Sequence, residues 1–233
     1  MSELPATVIL AGGLATRLDL LTTHIPKSLL DINGKPFIYY QIEYLAKQGI
    51  KRIILCVGHL GEQIKNSVGD GKKFGVEIIY SFEKNKLLGT GGAIKNAFKE
   101  LDDTFYILYG DSWLEINYYN FFQSFLENNN AMLSVYKNVN KHDKSNIEIK
   151  DNLVINYSKQ NKTANMLYID YGLSIMTKKS FNEFENTKSF DLELVYKSLV
   201  NKNLLGCYEV YNRFYEIGSV EGYTETTNYL KGR

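Results

Sequence analysis

The stretch ATVILAGGLATRL, residues 6–18, decides how the fold of this chain begins. Residues 6–10 form a short apolar run that stops at Gly12 and Gly13, which is typical of a buried strand followed by a tight turn. Two glycines allow the backbone to approach a ligand closely, and successive N–H groups can then surround phosphate oxygens. Arg17 adds a guanidinium group that can bind a phosphate through two hydrogen bonds. The stretch therefore predicts a strand with a phosphate-binding loop at its carboxyl end.

Strand-like and helix-like segments alternate after this opening. In the first half, apolar runs predict strands at 52–57, 76–80 and 104–108, and helical spacing of apolar residues predicts helices at 36–47, 61–68 and 92–101. In the second half the pattern predicts a hairpin at 146–157, a strand at 168–176, an extended segment at 214–219, and helices at 191–199 and 221–230. Strands that alternate with helices predict an α/β fold, with a mixed, mostly parallel sheet and helices on both faces.

Length and composition limit the classes of protein that need to be considered. The 233 residues suffice for one α/β domain and are short for two, and no linker or repeat divides them, so we expect a single domain over residues 1–233. A net charge of +1 argues against a nucleic-acid partner. No apolar run is long enough for a membrane span, and residues 1–5 lack the basic region of a signal peptide. Cys56 and Cys207 have no metal-ligand spacing and are expected to be reduced thiols in a cytoplasmic protein.

Five motifs occur in an order that resembles a known family. They are GGLATRL at 12–18, PKSLL at 26–30, GKPFI at 34–38, LGTGGAI at 88–94 and YGDSW at 109–113. This order resembles that of the sugar-1-phosphate nucleotidyltransferases, also called NDP-sugar pyrophosphorylases. Ala15 stands where glycine is commoner in the family's loop, which is a minor departure because both residues are small. The resemblance implies a Rossmann-like three-layer fold, with a nucleotide-binding half at 1–115 and a sugar-phosphate-binding half at 116–233.

The resemblance also implies a reaction and three catalytic residues. A phosphate oxygen of a sugar 1-phosphate attacks the α-phosphorus of a nucleoside triphosphate, and pyrophosphate leaves. Because negative charge grows on the attacking and the leaving oxygens, fixed cations must stand along the line of attack. Arg17 suits the β- and γ-phosphates and Lys27 suits the α-phosphate. Asp111 suits Mg²⁺, a hard cation that prefers carboxylate oxygens.

A second metal ligand is expected near the C-terminus, where the family carries a segment like W-x-D-x-G. This chain has FYEIG at 214–218, so Glu216 stands where the family has aspartate. The longer side chain can still reach a metal ion. The alternative is that Glu216 is an exposed charge beside the turn glycine Gly218.

The remaining expected contacts are with the nucleotide and the sugar. The nucleotide contacts are expected from the first loop, from the glycine-rich segment and from a carboxylate that can accept hydrogen bonds from guanine, namely Leu10, Ala11, Gly12, Gly13, Gly89, Thr90, Gly91, Gly92 and Glu83. The sugar phosphate is assigned to Lys159, with Lys162 close enough to compete. Asp170 or Tyr171, just before Gly172, is expected to hold sugar hydroxyls.

Several alternatives remain open at this stage. The LGTGGAI segment resembles the GTP-dependent heptose 1-phosphate guanylyltransferases, and GDGKKFG at 69–75 resembles the uridylyltransferases that act on N-acetylmuramate 1-phosphate. We favour GTP with a heptose 1-phosphate, in nucleotide-sugar biosynthesis for cell-surface polysaccharide; UTP or CTP, a non-catalytic regulatory homologue and a homodimer stay open. A glycosyltransferase would need an Asp-x-Asp motif, whereas residues 110–113 read GDSW, and a dehydrogenase would need G-x-G-x-x-G.

Overall fold

The computed structural model describes residues 3–13, 24–83, 87–128 and 131–233. The strands in these ranges are β1 (Thr7–Leu10), β2 (Asp31–Ile32), β3 (Lys35–Pro36), β4 (Arg52–Val57), β5 (Glu77–Phe82), β6 (Thr104–Tyr109), β7 (Ser112–Trp113), β8 (Ala131–Lys137), β9 (Ile147–Lys150), β10 (Leu153–Tyr157), β11 (Tyr168–Thr177), β12 (Leu205–Val210) and β13 (Tyr215–Glu216). The helices are α1 (Phe37–Lys47), α2 (Gly61–Val68), α3 (Gly89–Asn96), α4 (Tyr118–Asn128), α5 (Leu192–Asn201) and α6 (Val220–Tyr229).

Nine of these strands form one sheet in the order β5-β4-β1-β6-β11-β8-β12-β10-β9. The four strands at the start of this order, β5, β4, β1 and β6, run parallel, because each is followed by a helical crossover. β11 then enters antiparallel between β6 and β8, and the β9–β10 hairpin is antiparallel as well. The mixed α/β sheet is thus confirmed, but parallel pairing dominates only in the first half, since β11 and the hairpin return without a helical crossover.

Helices cover both faces of the sheet and bury a separate core on each. Alternate residues of a strand point to opposite faces, so Ile9 of β1 packs with α1, α2 and α4, whereas Val8 packs with α3 and α5. Both side chains are fully buried. The three-layer arrangement expected from the sequence is therefore confirmed.

A third, smaller core attaches the C-terminal segment to the end of β6. It joins the helix α1 to the segments around β2, β7 and β13 through Leu30, Ile32, Phe37, Tyr40, Trp113, Ile217 and Leu230. Trp113 is held edge-on by the rings of Tyr40 and Tyr44, at centroid distances of 6.4 and 5.2 Å. This core fixes the turn that follows β6 against the last part of the chain.

Two helices differ from the sequence expectation. The helix predicted at 92–101 begins at Gly89, ends at Asn96 and continues as a short 3₁₀ helix over Phe98–Glu100. The helix α4 was not predicted, although Tyr118, Phe121, Phe122 and Phe125 fall on one buried face at helical spacing.

The sheet runs without interruption from the first half of the sequence into the second, through the pairing of β6 with β11. We therefore propose that residues 1–115 and 116–233 form one domain. Within the described ranges, no helix is both long and apolar enough to cross a membrane.

Candidate active site

A cavity of about 440 Å³ opens at the carboxyl ends of the parallel strands β1, β4 and β6. Open α/β sheets bind ligands at this edge, where neighbouring strands deliver their following loops. The residues that line it are Leu10, Ala11, Gly12, Gly13, Lys27, Ser28, Cys56, Glu83, Leu87, Gly89, Thr90, Ala93, Tyr109, Gly110, Asp111, Asp191, Glu216 and Gly218. Ten of the residues expected from the sequence are in this set.

The loop after β1 packs tightly against the neighbouring strand ends. The N–H of Ala11 donates to the carbonyl of Cys56 at 2.9 Å. A Cβ on Gly12 would lie only 2.9 Å from the amide nitrogen of Gly58 and 3.3 Å from Oε1 of Glu83. Glycine is thus needed at position 12 so that the loop can approach β4, and this approach lets the backbone line the cavity. Arg17 and the rest of the GGLATRL motif from residue 14 lie outside the described residues.

Glu83 stands at one end of the cavity, and one of its two carboxylate oxygens already accepts a hydrogen bond. Its Oε2 accepts the N–H of Leu88 at 2.6 Å. Burial raises the pKa of the Glu83 carboxyl, and the hydrogen bond from Leu88 offsets part of that rise. Its Oε1 lies near Gly12, so the carboxylate can still accept a hydrogen bond from a group in the cavity.

Opposite charges meet at the other end of the cavity. Lys27 begins a short 3₁₀ helix after Pro26, and its Nζ lies 2.8 Å from Oδ2 of Asp111, in the turn between β6 and β7. The Lys27 side chain is 19% exposed and that of Asp111 is 39% exposed, so both remain accessible from the cavity. Oδ1 of Asp111 also accepts the hydroxyl of Ser112 at 3.3 Å.

Glu216 reaches the same point from the far end of the chain. β13 pairs with β7 so that Glu216 stands opposite Ser112, and the N–H of Ile217 donates to the carbonyl of Asp111 at 2.9 Å. A Cβ on Gly218 would overlap Oε2 of Glu216 and would lie 3.0 Å from Nζ of Lys27 and 3.5 Å from Oδ2 of Asp111. One cation and two carboxylates therefore surround Gly218.

The donor set at this point is suited to a hard divalent cation. Among the described residues no group of three or more histidine, cysteine, aspartate or glutamate side chains could hold a metal ion. Asp111 and Glu216 supply only two carboxylates, and Glu216 is also bound by the hydroxyl of Ser219 at 2.5 Å and by the N–H of Gly218. Mg²⁺ typically keeps several waters and takes one or two protein carboxylates together with substrate phosphates. The pair fits that type of site.

The residues assigned to the sugar lie behind Tyr109 and do not line the cavity themselves. Nζ of Lys159 stands 5.3 Å from the centre of the Tyr109 ring, and Tyr109 does line the cavity. Asp170 accepts hydrogen bonds from the hydroxyl of Tyr157 at 3.0 Å and from the N–H of Gly172 at 2.9 Å. Burial raises the pKa of the Asp170 carboxyl, whereas the ammonium of Lys159 acts to lower it.

Three expected contacts fall elsewhere. Tyr171 is 1% exposed and packs in the core on the other face of the sheet, because neighbouring residues of a strand point to opposite faces. Gly91 and Gly92 donate their N–H groups to the carbonyl of Phe190 at 3.0 and 3.1 Å. Because α3 already begins at Gly89, these two glycines turn towards the segment that contains Phe190. Of the four residues expected from this motif, Gly89 and Thr90 line the cavity.

Comparisons with known proteins identify the family to which this chain is similar. The family model described as nucleotidyl transferase matches residues 6–156. The D-glycero-alpha-D-manno-heptose 1-phosphate guanylyltransferase of Campylobacter jejuni is 37% identical over 189 residues, which are 80% of this chain and 82% of that protein. The N-acetylmuramate alpha-1-phosphate uridylyltransferase of Neisseria meningitidis is 37% identical over 118 residues, 50% of this chain and 51% of that protein.

A solved structure matches over nearly the full length. HddC from Yersinia pseudotuberculosis, complexed with GMP-PN, superposes with a TM-score of 0.81 and 31% identity over 97% of this chain and 99% of that chain. The family model covers more than half of the chain, and the Campylobacter protein matches most of it. The chain therefore belongs to the nucleotidyl transferase family.

Proposed function

We propose that this protein transfers a nucleoside monophosphate from GTP to a heptose 1-phosphate, forming an NDP-sugar and releasing pyrophosphate. The observation that carries the proposal is the meeting of Lys27, Asp111 and Glu216 at one end of a cavity that begins at the Gly12–Gly13 loop. The Campylobacter relative that matches most of this chain is itself a D-glycero-alpha-D-manno-heptose 1-phosphate guanylyltransferase. We further propose that the reaction takes place in the cytoplasm, in the synthesis of nucleotide sugars for cell-surface polysaccharide.

In this proposal the base lies at the Glu83 end of the cavity. Guanine presents two neighbouring donors, N1–H and N2–H, and the Glu83 carboxylate is an acceptor. Because Oε2 already accepts the N–H of Leu88, the carboxylate has a fixed direction before the base arrives. Leu10, Ala11, Gly12 and Gly13, with Gly89 and Thr90, then line the space for the nucleotide.

The triphosphate would extend towards Lys27. The Lys27 ammonium stabilises charge on the α-phosphate as the sugar phosphate oxygen attacks and pyrophosphate leaves. Asp111 and Glu216 would hold Mg²⁺, which neutralises charge on the phosphates when it is bound. Arg17 is proposed to bind the β- and γ-phosphates, from the sequence motif alone.

The sugar phosphate would enter on the Tyr109 side. Lys159 is proposed to bind its phosphate, because its ammonium stands beside the ring that forms this wall of the cavity. Asp170 is proposed to orient the Lys159 ammonium and the sugar hydroxyls. A purely regulatory homologue is less well supported, since Lys27, Asp111 and Glu216 are all present and lie together.

A substrate screen tests the proposed reaction. The purified protein with Mg²⁺ is assayed for pyrophosphate release with each of four NTPs against a panel of sugar 1-phosphates. Release should require both substrates and should be fastest with GTP and a manno-heptose 1-phosphate. Asp111→Asn, which removes an anionic ligand, serves as the inactive control. A folded protein that releases no pyrophosphate with any pair and binds no NTP would show that the assignment is wrong.

Substitution of Lys27 tests the cation at the reacting phosphate. Lys27→Ala should lower kcat/KM by ~10²-fold or more, a loss of about 3 kcal/mol of transition-state stabilisation. Lys27→Arg should not restore full activity, because a planar guanidinium does not replace a compact ammonium. Lys35→Ala is a matched control, since Lys35 forms an ion pair of the same 2.8 Å length with Glu43 outside the cavity. Equal activity of Lys27→Ala and Lys35→Ala would remove Lys27 from the mechanism.

Substitution of Glu83 tests base selection. In Glu83→Gln the amide oxygen can still accept from Leu88, so the NH₂ group would face the base and oppose the guanine donors. The ratio of kcat/KM for GTP to that for UTP should fall by about 10-fold to 100-fold, because a mismatched polar group in a binding site costs this much. Glu43→Gln should leave the ratio unchanged. A ratio that stays constant in Glu83→Gln would place base selection elsewhere.

The pH dependence of GTP turnover in the wild type and in Glu83→Gln gives a second test of this role. Because burial raises the pKa of the Glu83 carboxyl above its ordinary value, the acceptor is protonated and lost as the pH falls through that raised value. GTP turnover by the wild type should therefore decline on the acid side with a limb that Glu83→Gln lacks. Acid profiles of the same shape in both proteins would contradict this role.

A further inference from the structure

Gln41 of α1 makes two hydrogen bonds to the turn that carries Asp111. Its side chain is buried, with 2% of the residue exposed. Nε2 donates to the carbonyl of Tyr109 at 3.0 Å and to the carbonyl of Ser112 at 2.8 Å. These two carbonyls lie immediately before Gly110 and immediately after Asp111 in the chain. One side-chain amide therefore spans the turn from β6 to β7.

The orientation of this amide follows from its partners. Nε2 carries two N–H donors, and both carbonyl oxygens are acceptors. Rotating the amide by half a turn would place Oε1 against two carbonyl oxygens, which is repulsive. In the present orientation Oε1 is buried and has no hydrogen-bond partner in the part of the chain that the structure describes. The two hydrogen bonds of Nε2 are therefore the contacts by which this amide holds the turn.

The turn that Gln41 holds is connected to the rest of the catalytic end of the cavity. Ser112 stands opposite Glu216 in the β7–β13 pair, and the carbonyl of Asp111 accepts the N–H of Ile217. The carboxylate of Asp111 contacts the ammonium of Lys27. A shift of this turn would therefore move Asp111 relative to Lys27 and Glu216 together.

We infer that Gln41 is a positioning residue for the nucleotidyl transfer proposed above, and that its two hydrogen bonds fix the Asp111 carboxylate where it meets Lys27 and Glu216. Gln41 itself does not line the cavity and touches no reacting group. Its effect passes through the backbone of the turn. The effect on kcat presupposes the proposed function. The effect on Mn²⁺ affinity depends only on the geometry of the turn.

Gln41→Met tests the inference because methionine has a similar volume and no N–H donor. We expect kcat to fall about 10-fold to 100-fold, since small displacements of positioned groups cost this much, while KM for the NTP changes little. Mn²⁺ affinity, measured by electron paramagnetic resonance with a non-hydrolysable NTP analogue, should weaken by about 10-fold or more, on the order expected when support of a metal ligand is lost. Because two partly buried carbonyls lose their donor, the midpoint of thermal unfolding should fall by several degrees, so kcat and Mn²⁺ affinity are measured well below that midpoint. Tyr39→Phe removes a hydroxyl that bonds from the same helix to the carbonyl of Ser67, away from the turn, and should leave kcat and Mn²⁺ affinity unchanged.

Gln41→Glu gives a pH readout that a merely structural role would not produce. An ionised carboxylate repels both carbonyls, whereas the protonated form can donate one hydrogen bond. Burial raises the pKa of a carboxyl at such a position, so the ratio of variant to wild-type kcat should rise as the pH is lowered from about 8 to about 6. A flat ratio in a folded variant would overturn the inference.

The outcomes separate this inference from the proposed function. Unchanged kcat or unchanged Mn²⁺ affinity in folded Gln41→Met would overturn the positioning role even if the wild type is fully active. A loss of activity that only follows a lowered unfolding midpoint, with normal kcat per folded molecule, would also overturn it. If the wild type itself shows no turnover, the proposed function fails, and the Mn²⁺ comparison still decides the role of Gln41.

Discussion

The short pairing of β13 with β7 is the constraint on which the site depends. It places Glu216 opposite Ser112 and beside Asp111, although these residues are about a hundred positions apart in sequence. The aromatic and aliphatic core around Trp113 holds the two strands together. Without this pairing Lys27 would face one carboxylate, and the cavity would have no place where two oxygen ligands and a cation meet. The meeting of Lys27, Asp111 and Glu216 is therefore a tertiary feature that rests on hydrophobic packing.

The charged groups at this end of the cavity all have partners before any substrate binds. Lys27 pairs with Asp111, and Glu216 is bound by the Ser219 hydroxyl and the Gly218 amide, so neither carboxylate is left without a partner. Ion pairs that are partly exposed contribute little to stability, which leaves these groups free to exchange partners. In the proposed reaction the ammonium turns from a carboxylate to a phosphate, and the carboxylates turn to a cation. The arrangement suits a site in which polyphosphate and metal enter together.

Much of this architecture could be predicted from the sequence, because local patterns encode it directly. The strand at 6–10, its glycine loop and the motifs around Lys27 and Asp111 were identified from short runs of residues. Motif position predicts Tyr171, Gly91 and Gly92 as site residues, whereas the structure turns them away from the cavity. The motif does not tell which way a side chain or an amide points. That direction depends on strand alternation and on where a helix begins. Gln41 carried no signal at all, since its partners are backbone carbonyls that a sequence pattern cannot locate.

The most direct measurement is anomalous diffraction from crystals grown with Mn²⁺ and a non-hydrolysable GTP analogue. We predict one Mn²⁺ ion that is bound by both Asp111 and Glu216, with each carboxylate either a direct ligand at ~2.1 Å, the distance that small hard cations require, or connected to the ion through one water. The analogue should place its α-phosphate within hydrogen-bond distance of Nζ of Lys27. A metal bound by Asp111 alone, with Glu216 still held only by Ser219 and Gly218, would contradict the shared site. It would leave Glu216 as a residue that merely closes the turn before α6.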